Sequence, residues 1–510
     1  MTRSVSSAPR PRLSVAMIVR DAADTLAATL DSVRGIADEI VVVDLGSADS
    51  TLEIARDGAD VVHELEWRDN FAAARNECLP LVTGQWILWL EAGEALDDTA
   101  AQQLRNFVDD GADANRGYLL FIHRPAPSAA DCVDQVGQLR LLPNRPELRF
   151  TGRVREQVLP SLLDAAMGVD ALNCVIQRCD MPRDTDAERA QARRTLNLAN
   201  LALSDEGEQP LVLIARGEAL AQLGRANDAA QAYHRAIEIA DRGSSEMLEA
   251  YYGLLTALDG DPAGADTQIT TCLEALDVYP LDAQLLCGMG SYLLRAGRLD
   301  LAARSYELAA THGKIDPAIW HLADLAEVAV TCWSLVLQLL GQTNQSEEVL
   351  TRALDERPDS LRLRRQLIEL YVKAGRERDA LVQCKLLPGD MPHWAEMQAV
   401  VRGAALAAAK KSAAALGPLR GAYQAGCRDP LCFRWLAAAH LAVGNLADVE
   451  MLADQWQHHE PGNLEIAAFR QAAAQRRRGG PSPQRVDGPA TPNLPLSAAI
   501  STPHSSPSAI

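Results

Sequence analysis

Glu91 and Glu94 end an apolar run, Gln-Trp-Ile-Leu-Trp-Leu-Glu-Ala-Gly-Glu over residues 85–94. The run is short, aliphatic and aromatic, and it follows Thr83-Gly84, so it reads as a buried strand. Acids at the carboxyl end of such a strand open into the crevice where α/β sheets gather ligands, and a hard cation bridging two phosphates takes carboxylate oxygens there. The usual pair is two aspartates one residue apart; here Glu91 takes the first place and Gly93 the second. A longer arm moves the ion and leaves it fewer oxygens, so the affinity of Glu91 for Mg²⁺ or Mn²⁺ is expected to fall.

Other side chains complete a candidate site. Asp44 ends the apolar run Glu39 to Asp44, where its carboxylate can accept from a nucleoside's uracil or ribose; a turn or helix-capping aspartate is the plainer alternative. Asp49 precedes an apolar helix and is better read as its cap. Arg75 and Asn76 fall in a short helix beginning near Asp69, with the guanidinium suited to a diphosphate and the amide to a sugar. A surface ion pair is the competing use of Arg75. Further on, Arg155 offers a fixed cation for a leaving diphosphate in place of a metal, or simply a partner for Glu156 or Glu91. Glu94 and Glu156 are the candidate bases for an acceptor's proton, with Glu94 preferred because it starts the loop an acceptor would approach.

The elements that must hold these residues alternate. Leu13 to Val19, Glu39 to Asp44, Asp60 to Glu64 and residues 85–90 read as strands, with helices Ala23 to Val33, a second after Gly46-Ser47-Ala48-Asp49-Ser50-Thr51, 69–82 and Thr99 to Val108 among them. Such βαβ order argues a parallel sheet, extended by strands Arg116 to His123 and Gln138 to Phe150.

From about residue 187 the pattern is helical. Gly217, Leu220, Gly224, Ala229, Tyr233 and Ala236 recur as Gly290, Leu293, Gly297, Ala302, Tyr306 and Ala309, and weaker copies follow as far as Gly444 and Pro461. The period is that of tetratricopeptide helix pairs, about 34 residues, and small residues fall where paired helices approach closely. A plain helical bundle is the alternative. Helix Ala187 to Leu203 joins the two halves without a Pro/Gly linker, so they are expected to move as one body. A solenoid's concave face holds a peptide or a second subunit, so an acceptor protein or peptide and a homodimer are both expected uses.

Composition limits the function classes. At 510 residues the chain is too long for one core, with a formal charge of -19 and few aromatics, which argues against a nucleic-acid groove. No window reaches about 18 consecutive apolar residues, so no membrane span is expected and a cytoplasmic protein is the default. The ten cysteines are scattered among apolar positions, and neither Cys174/Cys179 nor Cys427/Cys432 has zinc-site spacing. The division expected is 1–12 disordered, 13–185 the α/β domain, 186–474 the all-α solenoid and 475–510 a Pro/Ser-rich disordered tail.

Met17-Ile18-Val19-Arg20-Asp21, Val41 to Thr51, Phe71-Ala72-Ala73-Ala74-Arg75-Asn76 and Trp86 to Glu94 together resemble family 2 glycosyltransferases. The resemblance implies a GT-A, Rossmann-like nucleotide-sugar domain followed by tetratricopeptide repeats, similar to the branch that contains bacteriocin peptide S-glycosyltransferases. It implies a donor such as a UDP-sugar bound around Val19, Asp21, Asp44, Gly46, Arg75, Asn76 and Glu91, and an inverting single displacement. Three positions depart from it: Asp21-Ala22 for Asn-Glu, Glu91-Ala92-Gly93 for Asp-x-Asp, and Gly152-Arg153-Val154-Arg155-Glu156 for Gly-x-x-His-Glu. The expectation is therefore an inverting glycosyltransferase with a weakened or absent metal site; the alternative is an inactive transferase-like scaffold whose repeats bind proteins.

Overall fold

A computed structural model describes residues 12–126, 132–179, 185–260, 264–387, 394–459 and 464–478. The expectations of disorder at the two ends lie outside the described residues, except that the last helix runs on to Arg477.

The strands are β1 (Leu13–Val19), β2 (Glu39–Asp44), β3 (Val61–Glu64), β4 (Trp86–Trp89), β5 (Glu94–Ala95), β6 (Arg116–Pro125), β7 (Val133–Pro143), β8 (Gly168–Arg178) and β9 (His321–Leu322). They form one sheet ordered β3-β2-β1-β4-β7-β6-β8-β5, with β9 pairing beside β7. The first four are mutually parallel, and β7 runs antiparallel to β4 and β6.

Helices α1 (Ala23–Val33), α2 (Thr51–Gly58), α3 (Phe71–Cys78), α4 (Asp98–Asp109) and α5 (Leu159–Asp164) cover this sheet. β1 is buried at every residue, and apolar at all but Ser14, because both faces are covered. Leu13, Val15, Met17 and Val19 pack with Leu26, Leu30 and Leu104, on the side of α1 and α4. Ala16 and Ile18 pack on the other side with Phe71, Ala74 and Phe150.

Two differences from the sequence reading concern the second half of the sheet. The strand expected over Gln138 to Phe150 starts earlier, at Val133, and stops at Pro143, and Gly168–Arg178 forms an unanticipated strand parallel to β6.

The helical half begins with α6 (Thr185–Glu206), α7 (Pro210–Gln222), α8 (Ala226–Ile239), α9 (Ser245–Ala257), α10 (Gly264–Val278), α11 (Ala283–Arg295), α12 (Leu299–His312) and α13 (Leu325–Leu339), and the antiparallel pairing continues to Arg477. The repeated glycines have a packing cause: a Cβ on Gly217 would sit 2.7 Å from the Tyr233 ring, and one on Gly290 2.8 Å from Tyr306. Gly224 and Gly297 take positive φ at the turns between paired helices.

The solenoid is built into the sheet. Leu198, Ala199 and Ala202 of α6 and Val212 and Ala215 of α7 share a core with Phe150, Val154 and Val158. β7 pairs with β4 through residues 141–143 and with β9 through Asp134 and Gln135, so β9, from the α12–α13 connection, continues the line of β4. Gly137 N donates to Pro317 O at 2.6 Å, and the Arg124 guanidinium stacks 3.9 Å from the Trp320 ring.

Candidate functional site

The carboxyl ends of β1 and β4 open into a cleft of about 930 Å³ whose far wall is the solenoid. Arg20, Arg75, Glu91 and Glu156 line it from the sheet side, Asn197 and Glu249 from α6 and α9, and Trp320 from the β9 connection.

Glu91 lies at the floor, at most 7% exposed, and accepts from three guanidiniums: Arg75 at 3.4 Å, Arg140 at 3.3 Å and Arg178 at 3.3 Å. Burial alone would raise its carboxyl, but Arg140, Arg178 and Arg75 outweigh burial and hold it below the usual value. Arg140 comes from β7 and Arg178 from the end of β8, where β5 pairs at Glu94. A divalent cation does not fit this arrangement. The one carboxylate at the position is already saturated by cations, Gly93 supplies no side-chain oxygen, and among the described residues no three His, Cys, Asp or Glu side chains are grouped to hold a metal.

Glu94, the expected base, is not among the residues that line the cleft. It is fully enclosed, its Oε1 accepts from Arg140 at 2.7 Å and its Oε2 from the Glu91 backbone N–H at 2.9 Å. Burial, with the neighbouring Glu91 charge, raises its carboxyl against the pull of Arg140. Glu156 instead lines the cleft, where Arg75 Nε donates to its Oε1 at 2.7 Å. Arg75 is buried and lies over the Trp89 and Phe150 rings, at 5.0 and 5.4 Å. It is an interior ion-pairing residue of the cleft wall, not a surface one.

Arg155, the expected substitute cation, lines the cleft with its guanidinium paired to the solenoid. Its Nη1 donates to Glu249 Oε2 at 2.8 Å and its Nη2 to Glu218 Oε1 at 2.5 Å, so both ends of the guanidinium are committed to the solenoid. Asn76 is corrected as a sugar-binding amide: Nδ2 donates to Phe150 O and Oδ1 accepts from Phe150 N, both at 2.8 Å, which clamps the loop after β7 to α3.

The remaining expected residues form the loop after β2. Asp44, 2% exposed, accepts from the Gly46 and Ser47 backbone N–H groups at 3.0 Å and from Ser47 Oγ at 2.5 Å, with Gly46 at φ +80°. This is the turn aspartate of the plainer alternative. Asp21 accepts from Ala48 N at 2.7 Å and donates its own N–H to Ser47 Oγ, tying the ends of β1 and β2 together beside Val19, whose carbonyl accepts from Leu45 N. Asp49 accepts from the Thr51 N–H and hydroxyl and from Ala23 N, bracing the starts of α1 and α2.

The sequence reading did not single out Arg140, Arg178, Glu218, Glu249 or Trp320. Arg140 interrupts the mostly apolar stretch Gln-Leu-Arg-Leu-Leu, and Glu218 is an acid in the mostly apolar α7, so a charge at a position patterned for burial was the available signal.

The sheet order, the two-sided covering and the crevice at the ends of β1 and β4 define a mixed α/β domain, here joined to a helical-repeat solenoid. Residues 14–117 match glycosyl transferase family 2, and residues 337–402 match a tetratricopeptide repeat family. Over 222 residues the chain is 34% identical to a TPR repeat-containing protein of Synechococcus elongatus, covering 42% of this chain and 53% of that one. Over 234 residues it is 24% identical to the SPbeta prophage-derived glycosyltransferase SunS of Bacillus subtilis, covering 43% and 51%. The chain thus spans about half the length of these curated relatives. Among solved structures, a tetratricopeptide repeat protein from Parabacteroides merdae aligns with 52% of this chain and 98% of its own, at 13% identity and a TM-score of 0.38. The first domain is thus similar over residues 14–117 to family 2 glycosyl transferases, and the helical half over residues 337–402 to tetratricopeptide repeats. No described helix is long and apolar enough to cross a membrane.

Proposed function

We propose that the chain is a glycosyltransferase that moves a sugar from a nucleotide-sugar donor, such as a UDP-sugar, to a protein or peptide acceptor, without a divalent cation at Glu91. The observation that carries this reading is the single cleft, which runs from the carboxyl ends of β1 and β4 to the faces of α6 and α9. Donor and acceptor then meet between sheet and solenoid, and the repeats supply an acceptor wall of a kind that generally binds protein.

In this reading the acceptor's nucleophile attacks the anomeric carbon, the bond to the nucleotide diphosphate breaks, and the acceptor proton passes to Glu156, oriented by Arg75. Inversion follows from the single displacement. Arg20, at the mouth of β1 and 3.7 Å from Asp21, faces the cleft and is the cation placed to meet the leaving diphosphate.

The test is hydrolysis and transfer from a panel of UDP-sugars with and without EDTA or Mn²⁺. Turnover indifferent to chelator and lost in Glu156→Gln supports the reading; chelator-sensitive turnover refutes its metal-free part. One observation favours a second reading, an inactive domain that caps a protein-binding solenoid or dimerising surface: Asp44 and Asn76 spend their polar groups on their own loops. Absence of both turnover and UDP binding in the full chain would select it.

A further inference from the structure

The loop that carries Glu156 is held from outside its own domain. Thr151 and Gln157 exchange backbone hydrogen bonds across its base, and Gly152 and Arg155 take left-handed backbone at φ +95° and +53°. That region is disfavoured for a side chain with a Cβ, so neighbours must impose it on Arg155. Those neighbours are on the repeats: Glu218 of α7 and Glu249 of α9, each at most 9% exposed, grip the two ends of its guanidinium. One residue on, Glu156 meets Arg75. Two residues before, Arg153 ties the loop to the Asp69 carbonyl at 2.9 Å and to Asp205 of α6.

Two buried carboxylates share one guanidinium, and Glu218 Oε2 has no hydrogen-bond partner among the described residues. An apolar contact would fix a loop to a helix at lower electrostatic cost. The arrangement is better explained as a directional tether than as packing. We propose that Arg155 is a positioning residue through which Glu218 and Glu249 of the first repeats set where Glu156 stands in the cleft. The catalytic part of this inference rests on the reading of Glu156 as proton acceptor; the tether does not. Because Glu249 also lines the cleft, an acceptor that touches it acts on the same guanidinium and, through Arg155, on the loop.

The test uses the full chain with Arg155→Met, Arg155→Lys and Glu249→Gln, read by amide hydrogen exchange and by hydrolysis of a panel of UDP-sugars. In Arg155→Met the amides of residues 151–157 are expected to exchange about tenfold faster while those of β1 and β2 are unchanged. The kcat is expected to fall about 100-fold with KM for the donor within about twofold, as for a displaced rather than missing base. Arg155→Lys restores part of both, since an amine reaches one of the two carboxylates. Should Arg155→Met fail to fold, Glu249→Gln, which keeps one tie, carries the same comparison at smaller amplitude. Unchanged exchange in residues 151–157 overturns the tether. Faster exchange with unchanged kcat, or with only KM altered, overturns the positioning role. If the unaltered chain hydrolyses none of the sugars, the transferase reading fails separately and exchange alone decides the tether.

Discussion

Glu91 and Glu156 line the cleft with the enclosed Glu94 behind Glu91, and Arg75, Arg140 and Arg178 bring three guanidiniums within 4 Å of these carboxylates. A divalent cation entering this set meets no spare carboxylate, and each guanidinium near 4 Å opposes each of its charges by about 1–4 kcal/mol at effective dielectrics between water and a protein surface. Mn²⁺ at millimolar concentration should therefore leave the melting temperature of the chain unchanged, and a rise would restore a metal at Glu91. Arg140 matters most to the balance, because it stands 3.3 Å from Glu91 and 2.7 Å from the fully enclosed Glu94, whereas Arg178 reaches Glu94 only at 3.9 Å. Arg140→Met is expected to cost about 3–5 kcal/mol, the usual penalty for stranding a buried charge, measured by denaturant unfolding. A second residue-scale effect is visible in pH. Burial, with the charge of Glu249, pushes the Glu218 carboxyl up to about 8 against the pull of Arg155. The folded chain then holds a proton that the unfolded chain releases near 4.5, so this group's stabilising contribution declines as pH rises from there and is gone above about 8. The fall in melting temperature between about pH 6 and 8 should be shallower in Glu218→Gln; an identical fall would assign it to another group.

At the scale of elements, the repeat glycines act through the tyrosines they face. Alanine normally improves a helix interior over glycine by about 1 kcal/mol. A Cβ on Gly253 would instead stand 2.3 Å from the Tyr233 ring, nearer than the 2.7 Å at Gly217 on the opposite side of that ring. Gly253→Ala is thus expected to destabilise the chain by about 1–3 kcal/mol and Gly217→Ala by less, as shifts in denaturant midpoint. A gain from either would mean that the ring moves aside freely. These repeats were legible because the Gly-to-Tyr spacing is a packing requirement copied from unit to unit. β1, β2 and α1 were legible for a related reason: burial on both faces leaves the strands as short, nearly continuous apolar runs, and burial of one face gives the helix a periodic stripe. β8 reads weakly because none of its first six residues is buried, so alternation starts only at Cys174, and β9, at two residues, has no pattern to read. The site was less legible than the fold. Sequence identifies a carboxylate at 91 but not that guanidiniums 49 and 87 positions later converge on it, nor that Asn76 is spent on Phe150, 74 positions away.

For the whole molecule, β9 makes the solenoid part of the sheet. Excising residues 12–179 would remove the strand beside Asp134 and Gln135, the Pro317 carbonyl that accepts from Gly137 N, and the Trp320 ring over Arg124. It would also strip Leu198, Ala199, Ala202, Val212 and Ala215 from the core on the α3 face and leave Arg155 without either carboxylate. Apolar burial contributes about 25 cal/mol per Å², and a domain's whole margin is about 5–15 kcal/mol, so losing one side of a core is enough to unfold it. The excised segment is expected to be aggregated or molten, with no cooperative thermal transition. A longer fragment ending after α13 retains β9, Glu218, Glu249 and both walls of the cleft, and should melt in a single transition that the sheet and first repeats share. The two fragments can be compared by near-UV circular dichroism and calorimetry. A sharp, native-like melt from 12–179 alone would show that sheet and solenoid are merely neighbours, and would remove the structural basis for the repeats setting the geometry of the cleft.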